Sequence, residues 1–261
     1  MSCILLLGDA HLRDGDPEVD VFLNFLDSLP TGAVALYLLG DLFDLWVGSS
    51  AFTTESHRRV LDALRRLRAG GLRLVYVEGN RDYHLRRAYL GDPFDDLTES
   101  RLEIAFGPRR LHLSHGDQVN RRDRPYRFWR WLAKGPFLLG TFDLLPPGLA
   151  GSLSDRIERR MARTNLRHRV RFPEEDCRLY ARARREEGCD TVVLGHFHQR
   201  MHRIFGEGSG RVEVFILPAW REDRGYLKFE SDGGAVFESF RSTARGVRVD
   251  DDAGSLGKEG A

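Results

Sequence analysis

The sequence predicts an α/β fold built from layers of strands and helices, and two patterns support this. Short apolar runs rich in β-forming residues recur along the chain, and each is typical of a buried strand. These runs are residues 4–7, 34–39, 72–77, 111–113 and 191–194. Between the early runs, residues 19–29 and 55–68 place apolar side chains at helical spacing. Strands that alternate with amphipathic helices are typical of a layered α/β domain.

The rest of the chain departs from this alternation in three places. Residues 212–217 and 225–229 follow one another closely and predict antiparallel strands with no helix between them. Residues from about 121 to 185 contain no convincing strand, which predicts a helical insertion on one main domain of residues 1–242. Residues 243–261 carry an acidic run and several glycines, which predicts a disordered tail.

The composition narrows the class of protein. With 41% hydrophobic residues the chain is too apolar to be disordered, yet no run approaches the ~18 apolar residues of a membrane-spanning helix. Its 40 Lys and Arg against 39 Asp and Glu give a net charge of +1, which disfavours a dedicated nucleic-acid binder. The three cysteines, Cys3, Cys177 and Cys189, are too sparse for a disulfide framework. We therefore expect buried thiols in a cytosolic protein.

Polar residues follow each of the five early strand candidates. They are Asp9 and His11, then Asp41, then Asn80, then His115, and finally His196 and His198. One such residue alone is more often a helix cap or a turn residue. Together they predict a cluster, because α/β proteins build their sites at the carboxyl ends of strands. Crowded aspartates repel one another, and divalent cations accept both oxygen and imidazole donors. The cluster therefore predicts two divalent metal ions about 3.5–4 Å apart, bridged by a carboxylate.

The order of these motifs resembles the calcineurin-like metallophosphoesterase superfamily. Asp-x-His, Gly-Asp-x-x-Asp, Gly-Asn-x-Asp, His-Gly-Asp and Gly-His-x-His follow one another within residues 8–198. The resemblance implies two packed β-sheets flanked by helices, a four-layer αββα sandwich. It implies one metal on Asp9, His11, Asp41 and His198, and a second on Asp41, Asn80, His115 and His196. Asp82 would orient a metal ligand.

A closer resemblance, covering about residues 4–240, is to the UDP-2,3-diacylglucosamine pyrophosphatases of the lipid A pathway. It rests on residues 40–48, 79–83 and 217–220, and on a helical lid placed between the last two motifs. It implies a cytoplasmic enzyme, peripheral on the inner membrane, that uses two manganese ions. The enzyme would hydrolyse UDP-2,3-diacylglucosamine to UMP and 2,3-diacylglucosamine 1-phosphate. Ser49, Ser50 and Arg221 depart from that family's pattern and would affect the substrate-facing rim.

The predicted catalytic set is Asp41, Asn80, Arg81, Asp82 and His115. Many relatives carry a histidine where this chain has Arg81. A guanidinium stays protonated and cannot act as a general acid, but it stabilises negative charge on phosphate. This favours cleavage of a phosphoanhydride, whose phosphate leaving group needs no proton, over cleavage of a monoester. The alternative for Arg81 is a surface salt bridge with Asp82.

The predicted insertion combines aromatic residues with arginines. Aromatic and apolar side chains between residues 128 and 145 are bordered by arginines, and more arginines extend from residue 156 to 171. This combination is typical of a membrane interface or of a lipid with an anionic head group, and it could also stack nucleobases. The simplest alternative is a helical hairpin packed on the core. The closer resemblance favours an acyl-chain groove, with Trp46 at its entrance or in the core. The predicted substrate contacts are Trp46, Asn80, Arg81, Asp123 and Arg163.

Three other functions are compatible with these residues. The same chemistry could act on a soluble nucleotide, a dinucleoside polyphosphate or a phosphoprotein. A nuclease would share the metal site but fits the net charge of +1 poorly. A metal-free scaffold on this fold would be expected to lack the ligands, whereas this chain retains all seven.

Overall fold

The computed structural model describes residues 1–120, 134–135 and 172–241. The strands within these residues are β1 (Cys3–Leu7), β2 (Ala33–Leu38), β3 (Trp46–Val47), β4 (Arg73–Val77), β5 (Asp82–Tyr83), β6 (Asp96–Thr98), β7 (Arg101–Phe106), β8 (Arg109–Ser114), β9 (Thr191–Leu194), β10 (Met201–Phe205), β11 (Val212–Ile216), β12 (Gly225–Glu230) and β13 (Ala235–Ser239). The α-helices are α1 (Glu18–Asp27), α2 (Glu55–Ala69), α3 (Leu85–Tyr89), α4 (Glu174–Glu186) and α5 (Trp220–Asp223).

Two sheets position the strand ends that carry the predicted ligands. The first sheet has the strand order β13-β12-β1-β2-β4-β6, and the second has the order β10-β11-β9-β8-β7. β1, β2, β4 and β6 run parallel, as do β8, β9 and β11. The antiparallel strands β7, β10, β12 and β13 lie toward the sheet edges. In each sheet the carboxyl ends of the central strands therefore meet along one edge.

The two sheets pack face to face around an apolar core, with helices outside. Ile4 and Leu6 of β1 point into the core between the sheets, whereas Leu5 and Leu7 point toward α1 and α2. α4 covers the outer face of the second sheet and buries Cys177 there. This order of helix, sheet, sheet and helix confirms the predicted four-layer αββα fold.

The two helices predicted from periodicity are confirmed, with ends that shift by one or two residues. α2 begins where Thr54 forms a capping box with His57. The Thr54 hydroxyl accepts a hydrogen bond from the His57 backbone N–H, and the Thr54 N–H donates to the His57 ring. Arg66 and Arg68 lie in the last turn, where positive charge favours the helix dipole.

Residues 212–217 and 225–229 form strands that each have antiparallel partners, but the prediction that no helix lies between them is wrong. β11 belongs to the second sheet and pairs with β9 and β10, whereas β12 belongs to the first sheet and pairs with β1 and β13. The short helix α5 lies between them and carries the chain from one sheet to the other.

The predicted insertion of residues 121–185 ends in a helix, α4. α4 lies inside that range, yet it packs on the second sheet as part of the outer helix layer. Apart from α4, the described residues of the predicted insertion are 134–135 and 172–173, and the predicted tail at 243–261 lies outside the described residues.

None of the helices in the described part of the chain combines the length and apolar character needed to span a bilayer.

Candidate metal centre

The seven predicted ligands converge where the ligand-bearing edges of the two sheets meet. The first sheet contributes the residues that follow β1, β2 and β4, and the second contributes those that follow β8 and β9. Asp9, His11, Asp41 and His115 are buried, and the remaining three are partly exposed. The structure therefore brings together all seven residues that the sequence places at strand ends.

The backbone is strained where it turns these side chains inward. Asp9, His11, Asp41, His196 and His198 have φ angles of +54°, +47°, +54°, +70° and +56°. Non-glycine residues rarely adopt this region, and each instance costs about 1–3 kcal/mol. Elsewhere in the described chain only two other non-glycine residues have such angles. Strain concentrated at one site is typical of a functional site.

The first group of donor atoms surrounds one small volume. His11 Nε2 lies 3.3 Å from His198 Nε2, 3.8 Å from Asp9 Oδ1 and 4.0 Å from Asp41 Oδ2. His198 Nε2 lies 3.2 Å from Asp9 Oδ1. Donor atoms bound to one ion at about 2.1 Å stand about 3–4 Å apart. These separations match that requirement.

A second group lies beside the first. Asn80 Oδ1 is 2.9 Å from both His115 Nε2 and His196 Nδ1. Asp41 Oδ2 is 3.7 Å from His115 Nε2. This group combines carboxylate, amide and imidazole donors, whereas the first group has carboxylate and imidazole donors only.

Asp41 stands between the two groups. Its Oδ2 is within 4.0 Å of His11 Nε2 on one side and of His115 Nε2 on the other. Its Oδ1 is already used, because it accepts a 2.9 Å hydrogen bond from the Arg81 backbone N–H. Oδ2 is therefore the oxygen placed to serve both groups.

Two glycines allow the loops of the first sheet to approach this closely. A Cβ at Gly79 would lie 2.2 Å from Asp41 Oδ1. A Cβ at Gly40 would lie 2.6 Å from the Gly79 Cα and 2.7 Å from His115 Nδ1, and Gly40 has a φ of +82°. Any larger residue at either position would displace the carboxylate or the imidazole.

A hydrogen bond behind one ring and a carboxylate behind another orient their ligand nitrogens. His115 Nδ1 donates to the Leu39 carbonyl at 2.8 Å, which directs Nε2 at Asn80. His11 Nδ1 lies 3.3 Å from Asp44 Oδ1, a carboxylate behind the ring. Such partners are typical of metal-binding histidines, since they fix both tautomer and orientation.

The protonation states also suit cation binding. Burial opposes ionisation of Asp9, but His198, His115 and His11 nevertheless lower the pKa of its carboxyl. Burial and the nearby His115 lower the pKa of His196 to about 4, so its ring is neutral at pH 7. An ionised carboxylate and a neutral imidazole are the forms that bind metal.

A buried carboxylate oxygen without a partner is independent evidence that these donors fit a divalent metal. Asp9 Oδ2 accepts a 2.7 Å hydrogen bond from the His196 N–H, but its fully buried Oδ1 accepts none. Leaving a buried oxygen without a partner is costly, and native structures rarely tolerate it. A cation held by the first group would satisfy Asp9 Oδ1.

Asp82 supports the loops rather than a ligand side chain. Its Oδ2 accepts hydrogen bonds from the Asp41 N–H at 3.0 Å, the Gly79 N–H at 2.7 Å and the Tyr76 hydroxyl at 2.9 Å. Burial and the neighbouring Asp41 raise the pKa of Asp82 to about 7. The carboxyl thus joins the loops after β2 and β4 and sets the separation of Asp41 and Asn80.

Arg81 does not form the surface salt bridge with Asp82 that was the alternative prediction. Its side chain is 4% exposed, and its Nη1 donates to Asp44 Oδ1 at 2.9 Å. Its Nε lies 3.7 Å from Asp41 Oδ2. The guanidinium is therefore buried within the centre, next to the carboxylate shared by both groups.

Two supporting residues were not among the predicted site residues. Asp44 contacts His11, Arg81 and Arg13, and although burial opposes it, His11 and Arg81 lower the pKa of its carboxyl to about 2. Arg221 donates to the His11 carbonyl at 3.3 Å and pairs with Asp16. The second Asp of the Gly-Asp-x-x-Asp motif was the sequence signal for Asp44. Arg221 was noted only as a departure from the family pattern, and its contact with His11 depends on the chain returning from β11.

The prediction that Trp46 lines the entrance of a substrate groove is wrong. Trp46 is 1% exposed and packs against Phe43, Tyr76 and Tyr89 in the core beneath the first sheet. β3 pairs with β5 and turns the indole inward. Asp123 and Arg163, predicted to contact substrate, lie outside the described residues.

Comparisons with known proteins extend the similarity beyond the motifs. No family model matches the chain. The UDP-2,3-diacylglucosamine hydrolase of Pseudomonas putida is 30% identical over 237 residues, which cover 88% of this chain and 96% of that protein. The UDP-2,3-diacylglucosamine hydrolase of Chromohalobacter salexigens is 27% identical over 243 residues, which cover 92% of this chain and 98% of that protein. A Vps29 double mutant from Entamoeba histolytica is 13% identical with a TM-score of 0.47, over 95% of this chain and 97% of that chain.

Proposed function

Because the chain belongs to the UDP-2,3-diacylglucosamine hydrolase family, we propose that it hydrolyses the pyrophosphate bond of UDP-2,3-diacylglucosamine. The products are UMP and 2,3-diacylglucosamine 1-phosphate. The observation that carries the proposal is the convergence of seven ligand-type residues from two sheets on one centre with a shared carboxylate. A pyrophosphate carries charge that such a centre can neutralise once it holds cations.

We infer two divalent ions, and we infer manganese as their identity. Asp9, His11, Asp41 and His198 would hold one, and Asp41, Asn80, His115 and His196 would hold the other. When bound, the ions neutralise phosphate charge and lower the pKa of water at the centre. The mixture of carboxylate, amide and imidazole donors is compatible with manganese.

The chain's own residues position the substrate. The Asn80 amide lies between the rings of His115 and His196. Its remaining hydrogen-bonding capacity can be met by a phosphate oxygen. Arg81 places a permanent positive charge 3.7 Å from Asp41 Oδ2, where a phosphate bound to the centre would also lie. Because Arg81 cannot supply a proton, the site favours a leaving group that is a stable anion, such as a phosphate.

Arg81 also forms an ion pair with Asp44, whose Oδ1 accepts a hydrogen bond from Arg81 Nη1. The ion pair keeps the guanidinium ordered before substrate binds, which reduces the entropy lost on forming hydrogen bonds to phosphate. Asp123 and Arg163 remain proposed substrate contacts. The insertion is proposed to receive the acyl chains at the cytoplasmic face of the inner membrane.

The test is phosphorus NMR of the purified protein with manganese and UDP-2,3-diacylglucosamine. We expect stoichiometric release of UMP and the lipid monophosphate. The matched variants are Asp41→Asn, which should be inactive, and Asp20→Asn, which alters an exposed ion pair with Arg59 and should be fully active. Hydrolysis of a generic aryl phosphodiester with the lipid left intact would keep the metal centre and overturn the substrate. An active Asp41→Asn would overturn the mechanism.

A further inference from the structure

A second group of potential metal ligands lies in the second sheet, apart from the centre described above. Glu103 is on β7, His112 is on β8, and Cys189 lies in the turn between α4 and β9. One donor atom of each lies within 4.8 Å of the donor atoms of the other two. None of the three is among the seven ligands at the strand ends.

His112 is the buried member that lacks a partner on one side. The register of β7 and β8 places it directly opposite Glu103, and its side chain is 0% exposed. Its Nε2 is 2.8 Å from the Tyr180 hydroxyl of α4. Its Nδ1 makes no hydrogen bond and lies 3.8 Å from Glu103 Oε1. A buried nitrogen without a partner is costly and needs an explanation, so the unpartnered Nδ1 beside Glu103 and Cys189 points to a ligand.

The hydroxyl behind the ring also fits metal binding. Ligand histidines commonly donate their second nitrogen to a nearby oxygen, which fixes the tautomer and aims the other nitrogen at the ion. Burial, with the positive charges of Arg184 and Arg101, lowers the pKa of His112 to about 3, so the ring is neutral. Both arginines lie near a counter-charge, because Glu187 is 2.9 Å from Arg184 and 4.0 Å from Arg101.

Cys189 supplies a soft donor that the catalytic centre lacks. The residue is 1% exposed, is free of disulfide bonding, and its backbone N–H donates to the Arg184 carbonyl. Burial raises the pKa of its thiol, which makes it a poor nucleophile without a metal. Metal binding would deprotonate it, since thiolates are the ligand form.

We propose that Glu103, His112 and Cys189 form a separate site for a borderline-soft divalent cation such as Zn²⁺. Carboxylate, imidazole and thiolate together suit zinc, which takes four ligands in tetrahedral geometry. The Glu103 side chain is 41% exposed, so this side admits the ion and leaves a water as the fourth ligand. A bound ion would tie β7, β8 and the α4–β9 turn together.

Cobalt substitution tests this site without relying on activity. A thiolate bound to Co²⁺ gives a charge-transfer absorption band in the near ultraviolet, and none of the seven residues of the catalytic centre is a cysteine. The purified full-length protein, titrated with Co²⁺ to saturation, should show this band at one equivalent per chain. Cys189→Ser should remove it. Cys3→Ser and Cys177→Ser alter the other two buried free cysteines and should keep it.

Two further measurements make the result decisive. X-ray absorption of the zinc-loaded wild type should show one sulfur neighbour at about 2.3 Å, and this needs no variant to fold. Asp41→Asn should keep the cobalt band, which separates this proposal from the proposed hydrolase function. A saturated protein without the band, or a band that persists in a folded Cys189→Ser, would overturn the site.

Discussion

The two sheets contribute different chemistry to the catalytic centre. The first sheet supplies the oxygen donors, Asp9, Asp41 and Asn80, together with one imidazole, His11. The second sheet supplies imidazoles only. Each group of donor atoms combines members from both sheets, so neither sheet alone carries a complete set for one ion. The centre therefore forms only at the junction where the two sheets meet.

The contacts across the junction are short and specific. His11 Nε2 and His198 Nε2 are 3.3 Å apart, and the His196 N–H donates to Asp9 Oδ2 at 2.7 Å. Asn80 reaches across to two histidines at 2.9 Å. Since these distances depend on how the sheets pack, the apolar core between them sets the ligand geometry. A shift of 1 Å at this interface would separate the donors of both groups.

The largest expected effect is loss of the shared carboxylate. Asp41→Asn should reduce the bound metal from two ions to none and lower kcat by about 10³-fold or more, because metal stabilisation of the transition state is worth several kcal/mol. His198→Asn removes one second-sheet ligand and should leave one ion. Elemental analysis of purified, manganese-loaded protein, together with kcat, measures both. Equal metal loss in the two variants would show that Asp41 Oδ2 does not serve both groups.

The second prediction concerns how closely the loops after β2 and β4 must approach each other. Gly79→Ala places a Cβ 2.2 Å from Asp41 Oδ1, and we expect a loss of about 1–3 kcal/mol in the free energy of unfolding with weakened metal binding. Gly210→Ala is the matched control, since a Cβ there meets nothing within 4 Å. Chemical denaturation and manganese titration measure the two effects. A Gly79→Ala protein that binds manganese like Gly210→Ala would contradict the packing argument.

A smaller effect is expected behind the ligands. Asp44→Asn removes the charge that lies 3.3 Å from His11 Nδ1 and 2.9 Å from Arg81 Nη1. Loss of such a supporting carboxylate typically costs 10–100-fold in metal affinity or activity, so we expect an effect of about that size. Manganese affinity by calorimetry, with Asp20→Asn as the surface control, tests it. Unchanged affinity in Asp44→Asn would mean that His11 is oriented by its other contacts alone.

The smallest effect concerns a residue beneath the first sheet, away from the junction. Burial lowers the pKa of His57 to about 4, from an ordinary value of 6.5. Between pH 4 and pH 6.5 the unfolded chain binds a proton at His57 that the folded chain does not. The contribution of His57 to the free energy of unfolding is therefore complete above pH 6.5. That stability is lost as pH falls toward 4.

The free energy of unfolding should therefore fall by about 2 kcal/mol more in the wild type than in His57→Gln between pH 7 and pH 5. Denaturation at several pH values measures the difference, and metal content at pH 7 should be the same in both proteins. A parallel acid dependence in the two proteins would show that His57 does not contribute to it.

Features that depend on residues close together in sequence were predicted correctly, whereas features that depend on distant contacts were not. β1, β2, β4, β8 and β9 were predicted because each is a buried apolar run with its own ligand at the carboxyl end. Edge strands such as β7, in which exposed and half-buried residues alternate, carried no comparable signal. No helix was predicted between β11 and β12, because sequence proximity does not reveal that the two strands join different sheets.

Site residues show the same division. Trp46 follows the metal motif and was placed near substrate, but β3 directs it into the core. Arg81 was given Asp82 as an alternative partner, because the two are neighbours in sequence, whereas the fold pairs it with Asp44. Glu103, His112 and Cys189 have no motif spacing, and only strand register and the end of α4 bring them together.

The sequence by itself determined the chemical types of the ligands, their positions at strand ends and the layered α/β class. These follow from local patterns, since burial and strand formation depend on neighbouring residues. Only the tertiary structure decided the distances between the donor atoms, which side chains support them, and that Trp46 lies in the core. Those relations depend on how two sheets pack, and packing is set by contacts between residues that are far apart in sequence.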